Sequence, residues 1–182
     1  MRRQTIITGI VFLGMLAAPI IAGEKASEKC LPPALKHSDA FNRMAALAGK
    51  WEGTCPSKEE KGKMDPVSVE YSLTSGGSVV VEKLFPGTPH EMTSMYCDEK
   101  GKLSMTHYCM LGNQPHLALK GSDEKSLSFD FKNAADINPK KDMHMHALKI
   151  SFSDPDHIVQ DWTSFEKGKE SDHVVITLER KK

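Results

Sequence analysis

The segment Val67–Phe85, VSVEYSLTSGGSVVVEKLF, contains two β-like runs on either side of a glycine turn. From Val67 to Leu73 every odd-numbered residue is apolar and every even-numbered residue is polar, which is the period of a half-buried strand. The turn Thr74–Gly77 leads into the second run, Ser78–Phe85, which is rich in valine. The segment therefore predicts an antiparallel hairpin.

Runs of the same kind continue on both sides of this hairpin, and short polar turns join almost all of them. No long helical pattern lies between them, so parallel crossovers are excluded. An open meander would leave two exposed edges, which closure removes; an open or sandwiched sheet is the alternative. We predict an all-β fold, an antiparallel up-and-down β-barrel of about ten strands. The predicted strands lie near 51–55, 67–73, 78–85, 91–97, 102–109, 114–120, 126–132, 144–153, 157–166 and 172–180.

A short helix is predicted before the first strand. Ser38 can cap its N-terminus, and Gly49 can end it. Between these residues, over 39–48, Phe41 and Met44 begin an apolar stripe at helical spacing. We expect this short N-terminal helix to cap one end of the barrel.

The beginning of the chain has the features of a secretory signal peptide. Two arginines precede an apolar run that ends at small residues. An uncleaved membrane anchor is the alternative, but the run is near the minimum length for a bilayer and contains Pro19. We therefore expect a signal peptide at 1–22, a leader segment at 23–37 and a barrel domain at 38–182. The mature protein would be secreted or periplasmic and would have no integral membrane span.

Charge and composition exclude nucleic-acid binding. The chain has 182 residues, with 24 basic and 24 acidic side chains, so its formal net charge is zero. It also has no stripe of lysine and arginine interleaved with aromatic residues. A neutral chain of this kind has no electrostatic footprint for nucleic acid, and the partner we expect is a small molecule.

Export would place four cysteines in an oxidising compartment, where two disulfides can form in three pairings. Their spacing selects none of these pairings and contains no Cys-x-x-Cys motif, so a zinc ribbon or a redox pair is not predicted. The cysteines are Cys30, Cys55, Cys97 and Cys109.

Strand parity predicts that several histidines face the core. In the run 102–109, His107 and Cys109 share the face of Leu103 and Met105. A four-residue turn at 98–101 would also place His90 opposite Cys109 and would place Met92 opposite His107. In the run 144–153, the row that holds Leu148 and Ile150 begins with two further histidines, His144 and His146.

Inward imidazoles and thiols are costly unless they are bonded. They can hydrogen-bond one another as barrel lining, contact a ligand or hold a metal. Neutral imidazoles suit zinc, copper or iron, so His107, His144 and His146 form a candidate metal site. Asn113 and Gln114 either form a simple turn or lie over a ligand at the barrel mouth.

The run 78–85 contains one further polar residue of interest. Glu82 shares a face with Val80 and Leu84, whereas Lys83 lies on the opposite face. The pattern does not decide which of the two charges points inward.

Gly49-Lys50-Trp51, at the start of the first strand after a short helix, resembles the Gly-x-Trp entry of the calycin superfamily, which includes the lipocalins and fatty-acid-binding proteins. Arg180 matches the basic residue that those barrels stack on the tryptophan. This resemblance implies a barrel fold and structural roles for Gly49, Trp51 and Arg180.

Three further motifs, Thr106–Cys109, Gly112–Pro115 and His144–His146, resemble an exported bacterial family of lipocalin-like domains of unknown function. That resemblance covers nearly the whole mature chain and implies fold and export. The segment Leu47–Thr54 is also similar to the entry of nitrobindin-like haem barrels, although it lacks the second glycine of their Gly-x-Gly motif. The last resemblance implies haem as a candidate cofactor.

These patterns support four hypotheses of function. The first is an exported barrel that encloses a small, mostly apolar ligand and needs no cofactor, with a polar group of the ligand against the wall of His107, His144 and His146. The second is a metal- or haem-binding barrel that uses the same histidines. The third is an enzyme in which His107 or His146 acts as general base. The fourth is an envelope protein with a filled interior.

Overall fold

A computed structural model describes residues 35–182. The predicted signal peptide, most of the predicted leader segment and Cys30 lie outside the described residues. Within the described part, no helix is long and apolar enough to cross a membrane.

Residues 39–180 form one α-helix followed by ten antiparallel strands, which close into a barrel. Each strand pairs with its neighbours in the sequence, and the first strand pairs with the last to complete the cylinder. This arrangement confirms the predicted fold class. The elements are α1 (Asp39–Ala45), β1 (Gly49–Pro56), β2 (Met64–Thr74), β3 (Val79–Leu84), β4 (Met92–Glu99), β5 (Lys102–Tyr108), β6 (His116–Ser122), β7 (Ser126–Asn133), β8 (His144–Asp154), β9 (His157–Glu166) and β10 (Lys169–Arg180).

The helix α1 packs against β2, β4 and β5 and covers one end of the barrel. Ser38 caps it as predicted, because its hydroxyl accepts the backbone N–H of Phe41 at 3.1 Å. Phe41 and Met44 are buried in the core. The helix ends at Ala45 rather than at residue 48, and a turn leads into β1.

The two ends of the barrel differ in their connections. We call the end covered by α1 the helix end; its strand connections are 75–78, 100–101, 123–125 and 155–156. We call the other end the open end; its strand connections are 57–63, 85–91, 109–115, 134–143 and 167–168.

At the helix end, Trp51 and Arg180 join the first and last strands. The guanidinium carbon of Arg180 lies 4.4 Å from the centre of the Trp51 ring, as the calycin resemblance implies. Arg180 also donates hydrogen bonds to the carbonyls of Ala46 at 2.9 Å and Ala48 at 2.8 Å. The indole of Trp51 donates to the carbonyl of Leu47 at 2.8 Å. These bonds satisfy carbonyl groups at the end of α1 that would otherwise lack partners.

The close approach of β1 to β10 requires a glycine at position 53. A Cβ atom built on Gly53 would lie 1.8 Å from the carbonyl oxygen of Thr177. Gly49 has a φ of 132°, and a Cβ there would lie 3.2 Å from Arg180. Gly53 therefore allows the seam of the barrel to close, and Gly49 leaves room for the arginine.

The turn between β4 and β5 is shorter than predicted. Glu99 pairs with Lys102, so only Lys100 and Gly101 form the turn, with φ values of 53° and 79°. Two consecutive residues with positive φ are typical of a tight two-residue hairpin. The register therefore differs by two residues from the predicted one.

Large side chains fill the inside of the barrel, in a core that runs from α1 to the middle of every strand. An interior packed in this way leaves little room for a deeply enclosed ligand. The largest of the buried side chains are Trp51, Tyr71, Tyr96, Phe41, Phe129, Met44, Leu84, Leu103, Met105, Leu117, Leu127 and Leu148.

Candidate functional site

Three polar side chains lie side by side inside the barrel on adjacent strands. Glu82 of β3 pairs with Ser94 of β4, and Ser94 pairs with His107 of β5. Residues directly opposite each other in neighbouring strands point to the same face, with Cβ atoms about 5 Å apart. All three are buried, with exposed fractions of 0%, 0% and 2%. The prediction that Met92 lies opposite His107 is therefore wrong, since the shorter β4–β5 turn places Ser94 there.

Glu82 is the centre of a buried hydrogen-bond network. Tyr71 donates its hydroxyl to the carboxylate at 2.7 Å, Tyr96 donates at 2.8 Å, and the amide of Gln160 donates as well. Burial raises the pKa of Glu82 above its usual value, and hydrogen bonds from these three residues and from Ser94 oppose that rise. The carboxylate is thus held by neutral donors rather than by a cation.

The direction of the hydrogen bonds follows from Trp162. Its indole N–H can only donate, and it donates to Oε1 of Gln160 at 2.9 Å. The amide nitrogen of Gln160 must then face Tyr71 and Glu82, to which it donates. Since Tyr71 accepts from Gln160, its own proton goes to Glu82.

Burial and the neighbouring Glu82 carboxylate raise the pKa of Tyr71 and Tyr96 well above the usual tyrosine value. Both hydroxyls therefore keep their protons at neutral pH and remain available as donors to the carboxylate.

His107 lies beside this network, towards the open end of β5. Its Nδ1 hydrogen-bonds to the Ser94 hydroxyl at 3.0 Å, and its ring centre is 4.8 Å from that of Trp162. Burial lowers the pKa of His107 to about 4, so the imidazole is neutral at pH 7. The prediction that strand parity directs His107 inward agrees with its burial.

The second nitrogen of His107 is unpaired within the described part of the chain. In residues 35–182, no hydrogen bond reaches Nε2 of His107. Within the same residues, the one fully enclosed side-chain polar atom without a partner is Oδ1 of Asn113. The Nε2 atom of His107 is therefore free to hydrogen-bond to a small molecule, although its ring is buried.

His144 does not face the core. It pairs with Phe165 of β9, whereas Leu148 pairs with Trp162. Trp162 points into the barrel, so Phe165, three residues further along β9, points outward. His144 therefore lies on the outer face of the sheet, and the prediction that it begins a core-facing row is wrong.

The cause is a β-bulge in β8. The register shifts between Met145 and Ala147, so one residue is inserted and the parity of the strand reverses there. His146 also lies on the outer face, because its ring stacks on Phe165 at 3.7 Å and its Nε2 is 3.5 Å from Asp130. Met145 instead packs against the core.

The two outer histidines bond to each other. Nε2 of His144 lies 3.1 Å from Nδ1 of His146, and Nδ1 of His144 lies 2.9 Å from the carbonyl of Asp142. The ring centre of Phe131 lies 4.7 Å from that of His144, and the His144 side chain is buried. Burial is the main cause that lowers the pKa of His146, and Asp130 opposes it. Both nitrogens of His144 are therefore already engaged.

The predicted metal ligands do not converge. His107 is inside the barrel, while His144 and His146 lie outside it. Within the part of the chain that the structure describes, no three His, Cys, Asp or Glu side chains lie close enough to hold a metal ion. The geometry therefore contradicts the hypothesis that these three histidines form one metal site.

Haem does not fit the described residues either. A haem held by the predicted histidines needs an imidazole nitrogen for the iron and a flat chamber as large as the macrocycle. His107 offers the nitrogen, but Trp162 packs beside its ring and large buried side chains occupy the interior. His107, the histidine of the predicted metal site that points inward, thus has no cavity of that size beside it.

The remaining predicted ligand residues lie around the open end. His90 is exposed in the loop after β3, and Cys109 follows the end of β5 and is partly buried. They are not ladder partners, because of the shorter β4–β5 turn. Asn113 donates to the carbonyl of Met143 at 2.8 Å and joins two open-end loops, while Gln114 is exposed. Contact of these residues with a ligand stays a prediction.

No disulfide joins any two of the three described cysteines, Cys55, Cys97 and Cys109. Pairing that involves Cys30 lies outside the described residues.

The sequence contained a signal for part of the network. Gln160 interrupts the apolar row of Ile158 and Trp162 on β9, as Glu82 interrupts a row on β3. Polar residues on two core-facing rows indicate that the rows meet inside the barrel. Tyr71 and Tyr96 gave no such signal, since a tyrosine on an apolar row is also a core residue.

The comparisons with known proteins concern the fold. The crystal structure of Rv2717c from M. tuberculosis is similar to this chain, with a TM-score of 0.51 and 14% sequence identity over 81% of this chain and 100% of that chain. No protein-family model and no curated protein matches the sequence. The likeness shows a shared barrel fold, and membership of the lipocalin-like families is not shown by it.

Proposed function

We propose that the barrel binds a small, mostly apolar molecule at its open end, with the polar group of that molecule against Nε2 of His107. The observation that carries this proposal is a buried, neutral imidazole whose Nε2 has no hydrogen-bond partner among residues 35–182. Ligand sites combine apolar walls with a few polar groups that fix orientation, and this arrangement is of that kind. Export through a signal peptide at 1–22 is part of the proposal.

The binding site that we propose is shallow, because large side chains occupy the deep interior of the barrel. Three apolar side chains in the open half of the barrel, Met92, Met145 and Val174, are only partly buried and pack on the core. Val174 pairs with Trp162, which contacts His107. A ligand that covers these side chains would gain about 25 cal/mol for each Å² of apolar surface removed from water.

Binding is favoured over general-base catalysis at this position. A pKa of about 4 makes His107 a weak base at neutral pH. Burial lowers the pKa of the second candidate base, His146, although Asp130 opposes this, and its ring stacks on Phe165 on the outer face of the sheet. His146 therefore lies away from the binding site proposed here.

Tryptophan fluorescence can measure binding, since Trp162 contacts His107. We expect 4-hexylphenol, an apolar chain with one polar group, to bind with a stoichiometry of one. His107→Phe keeps a buried ring but removes both nitrogens, and it should weaken binding about tenfold, the effect of one good hydrogen bond. His157→Phe is the matched control, because His157 is exposed at the helix end.

Two results would contradict the proposal. One is equal affinity of the wild type and His107→Phe. The other is the absence of saturable binding of 4-hexylphenol, together with native mass spectra of the protein from its own host that show only the unliganded mass.

A further inference from the structure

We infer that Nε2 of His107, which is unpaired among the described residues, is a fixed hydrogen-bond acceptor. The site would then select neutral ligands that carry an O–H or N–H donor. This inference rests on the function proposed above and adds the chemical class of the ligand. It follows from the order of donors and acceptors between Trp162 and His107.

The first step concerns Glu82 and whether its carboxylate donates or accepts hydrogen bonds. Trp162 orients Gln160, Gln160 donates to Tyr71 and Glu82, and Tyr71 donates to Glu82. Tyr96 also directs its hydroxyl to the same carboxylate, at 2.8 Å. Since three donors point at it, Glu82 acts as an acceptor, which is the role of an ionised carboxylate.

The second step is the hydroxyl of Ser94. This residue is the direct ladder partner of both Glu82 and His107, so its hydroxyl stands between an acceptor and an imidazole. We assign the proton of Ser94 to Glu82, its ladder partner on the other side, because a carboxylate accepts more strongly than a neutral imidazole. Oγ of Ser94 then presents its lone pairs to Nδ1 of His107, 3.0 Å away.

The third step is the tautomer of His107. A neutral imidazole carries a proton on only one of its two nitrogens. Since Nδ1 faces a lone pair of Ser94, the proton must be on Nδ1. Nε2 therefore carries a lone pair and no proton. A ligand that meets Nε2 must supply the proton of the hydrogen bond.

The charge of Glu82 restricts the chemical class of the ligand further. Glu82 is the nearest charged group in the network, and it is negative. An anionic ligand such as a fatty carboxylate would place a second negative charge near it and would offer no proton to Nε2. Neutral phenols, alcohols and amides with a free N–H fit both conditions, whereas ethers, esters and ketones do not.

The test compares 4-hexylphenol with its methyl ether, 4-hexylanisole, which has the same apolar chain and ring but no donor. Tryptophan fluorescence titrations of the wild-type protein should show the phenol binding about tenfold more tightly. In His107→Phe the two affinities should become equal.

Ser94→Ala removes the residue that holds the tautomer, so the preference for the phenol should fall while the anisole affinity stays the same. Ser126→Ala is the matched control, since Ser126 is a buried serine whose hydroxyl donates to Asp123 at the helix end. The long-range ¹H–¹⁵N spectrum should report Nδ1–H on His107 in the wild type.

The outcomes separate the two proposals. If both probes bind equally well to the wild type, the inference about the acceptor is overturned and the proposed binding function stands. A spectrum that shows Nε2–H on His107 also overturns the inference. If neither probe binds, the proposed function itself fails.

Discussion

The two ends of the barrel use their polar groups differently. At the helix end, Trp51 and Arg180 hydrogen-bond the carbonyls that follow α1, and Ser38 bonds to Asp98 at 2.7 Å. Towards the open end, Nε2 of His107 and Oδ1 of Asn113 lack partners among the described residues.

The apolar side chains differ in the same direction. The helix end buries Phe41 and Met44, whereas Met110, Leu111 and Met143 at the open end are exposed. The comparison indicates that the helix end and the seam between β1 and β10 hold the barrel closed. The open end instead keeps unpaired polar atoms and exposed apolar side chains.

The largest effect is expected at the seam between the first and last strands. Gly53→Ala places a Cβ atom against the carbonyl of Thr177, so β1 and β10 must separate. We expect a loss of about 3 kcal/mol in the free energy of unfolding, measured by urea denaturation. Gly121→Ala is the control, because its Cβ would meet only the Ser128 side chain at an ordinary distance of 3.9 Å. Equal losses in the two variants would show that the seam is not tightly closed.

The next effect depends on pH and belongs to the open half. The pKa of His107 is lowered from 6.5 to about 4, so the unfolded chain binds a proton more strongly than the folded chain. The stability contributed by neutral His107 is complete above pH 6.5 and is lost as pH falls towards 4. Wild type should lose about 3 kcal/mol more than His107→Gln over this interval, measured by urea denaturation at each pH.

His157 provides the control with the opposite sign. Its hydrogen bond to Asp154 raises its pKa, so its contribution is present at low pH and is lost as pH rises. His157→Gln should therefore lower stability at low pH relative to wild type. If His107→Gln and wild type respond identically to acid, His107 is not buried as a neutral imidazole.

A smaller effect is expected at the helix end. Arg180→Met removes the stacking on Trp51 and the bonds to the carbonyls of Ala46 and Ala48. The loss should be about 2 kcal/mol in urea denaturation. Lys181→Met, which removes an exposed ion pair with Glu52, should change stability by less than about 0.5 kcal/mol. If the two losses match, Arg180 is no more than a surface charge.

The smallest effect is expected at the exposed rim of the open end. Met110→Ser and Leu111→Ser should each change the free energy of unfolding by no more than about 0.5 kcal/mol, because both side chains are already in contact with water. Thermal or urea denaturation can measure this. A loss above about 1 kcal/mol would show that the rim belongs to the packed core.

Local sequence patterns were sufficient to predict the fold, but they predicted only part of the candidate site. Alternation and turn residues were sufficient to predict ten strands and the helix cap at Ser38, because both signals act over a few neighbouring residues. The position of His107 followed from the same alternation. The stacking of Arg180 on Trp51 came from the calycin resemblance.

Alternation failed where the backbone departs from the regular pattern. The bulge at Met145–Ala147 reverses the parity of β8, yet neither glycine nor proline marks it in the sequence. The Lys100-Gly101 turn changed the register of β5 by two residues. The network around Glu82 joins β2, β3, β4 and β9, and such contacts between distant strands depend on the barrel's tilt rather than on any local pattern.

The most direct test of the account is the long-range ¹H–¹⁵N spectrum of the histidine side chains during titration with 4-hexylphenol. We predict that the Nε2 resonance of His107 shifts in proportion to binding, while the resonances of the exposed His157 and His173 stay in place. Saturation with 4-hexylphenol that leaves the His107 resonances unchanged would contradict the central claim that this imidazole meets the ligand.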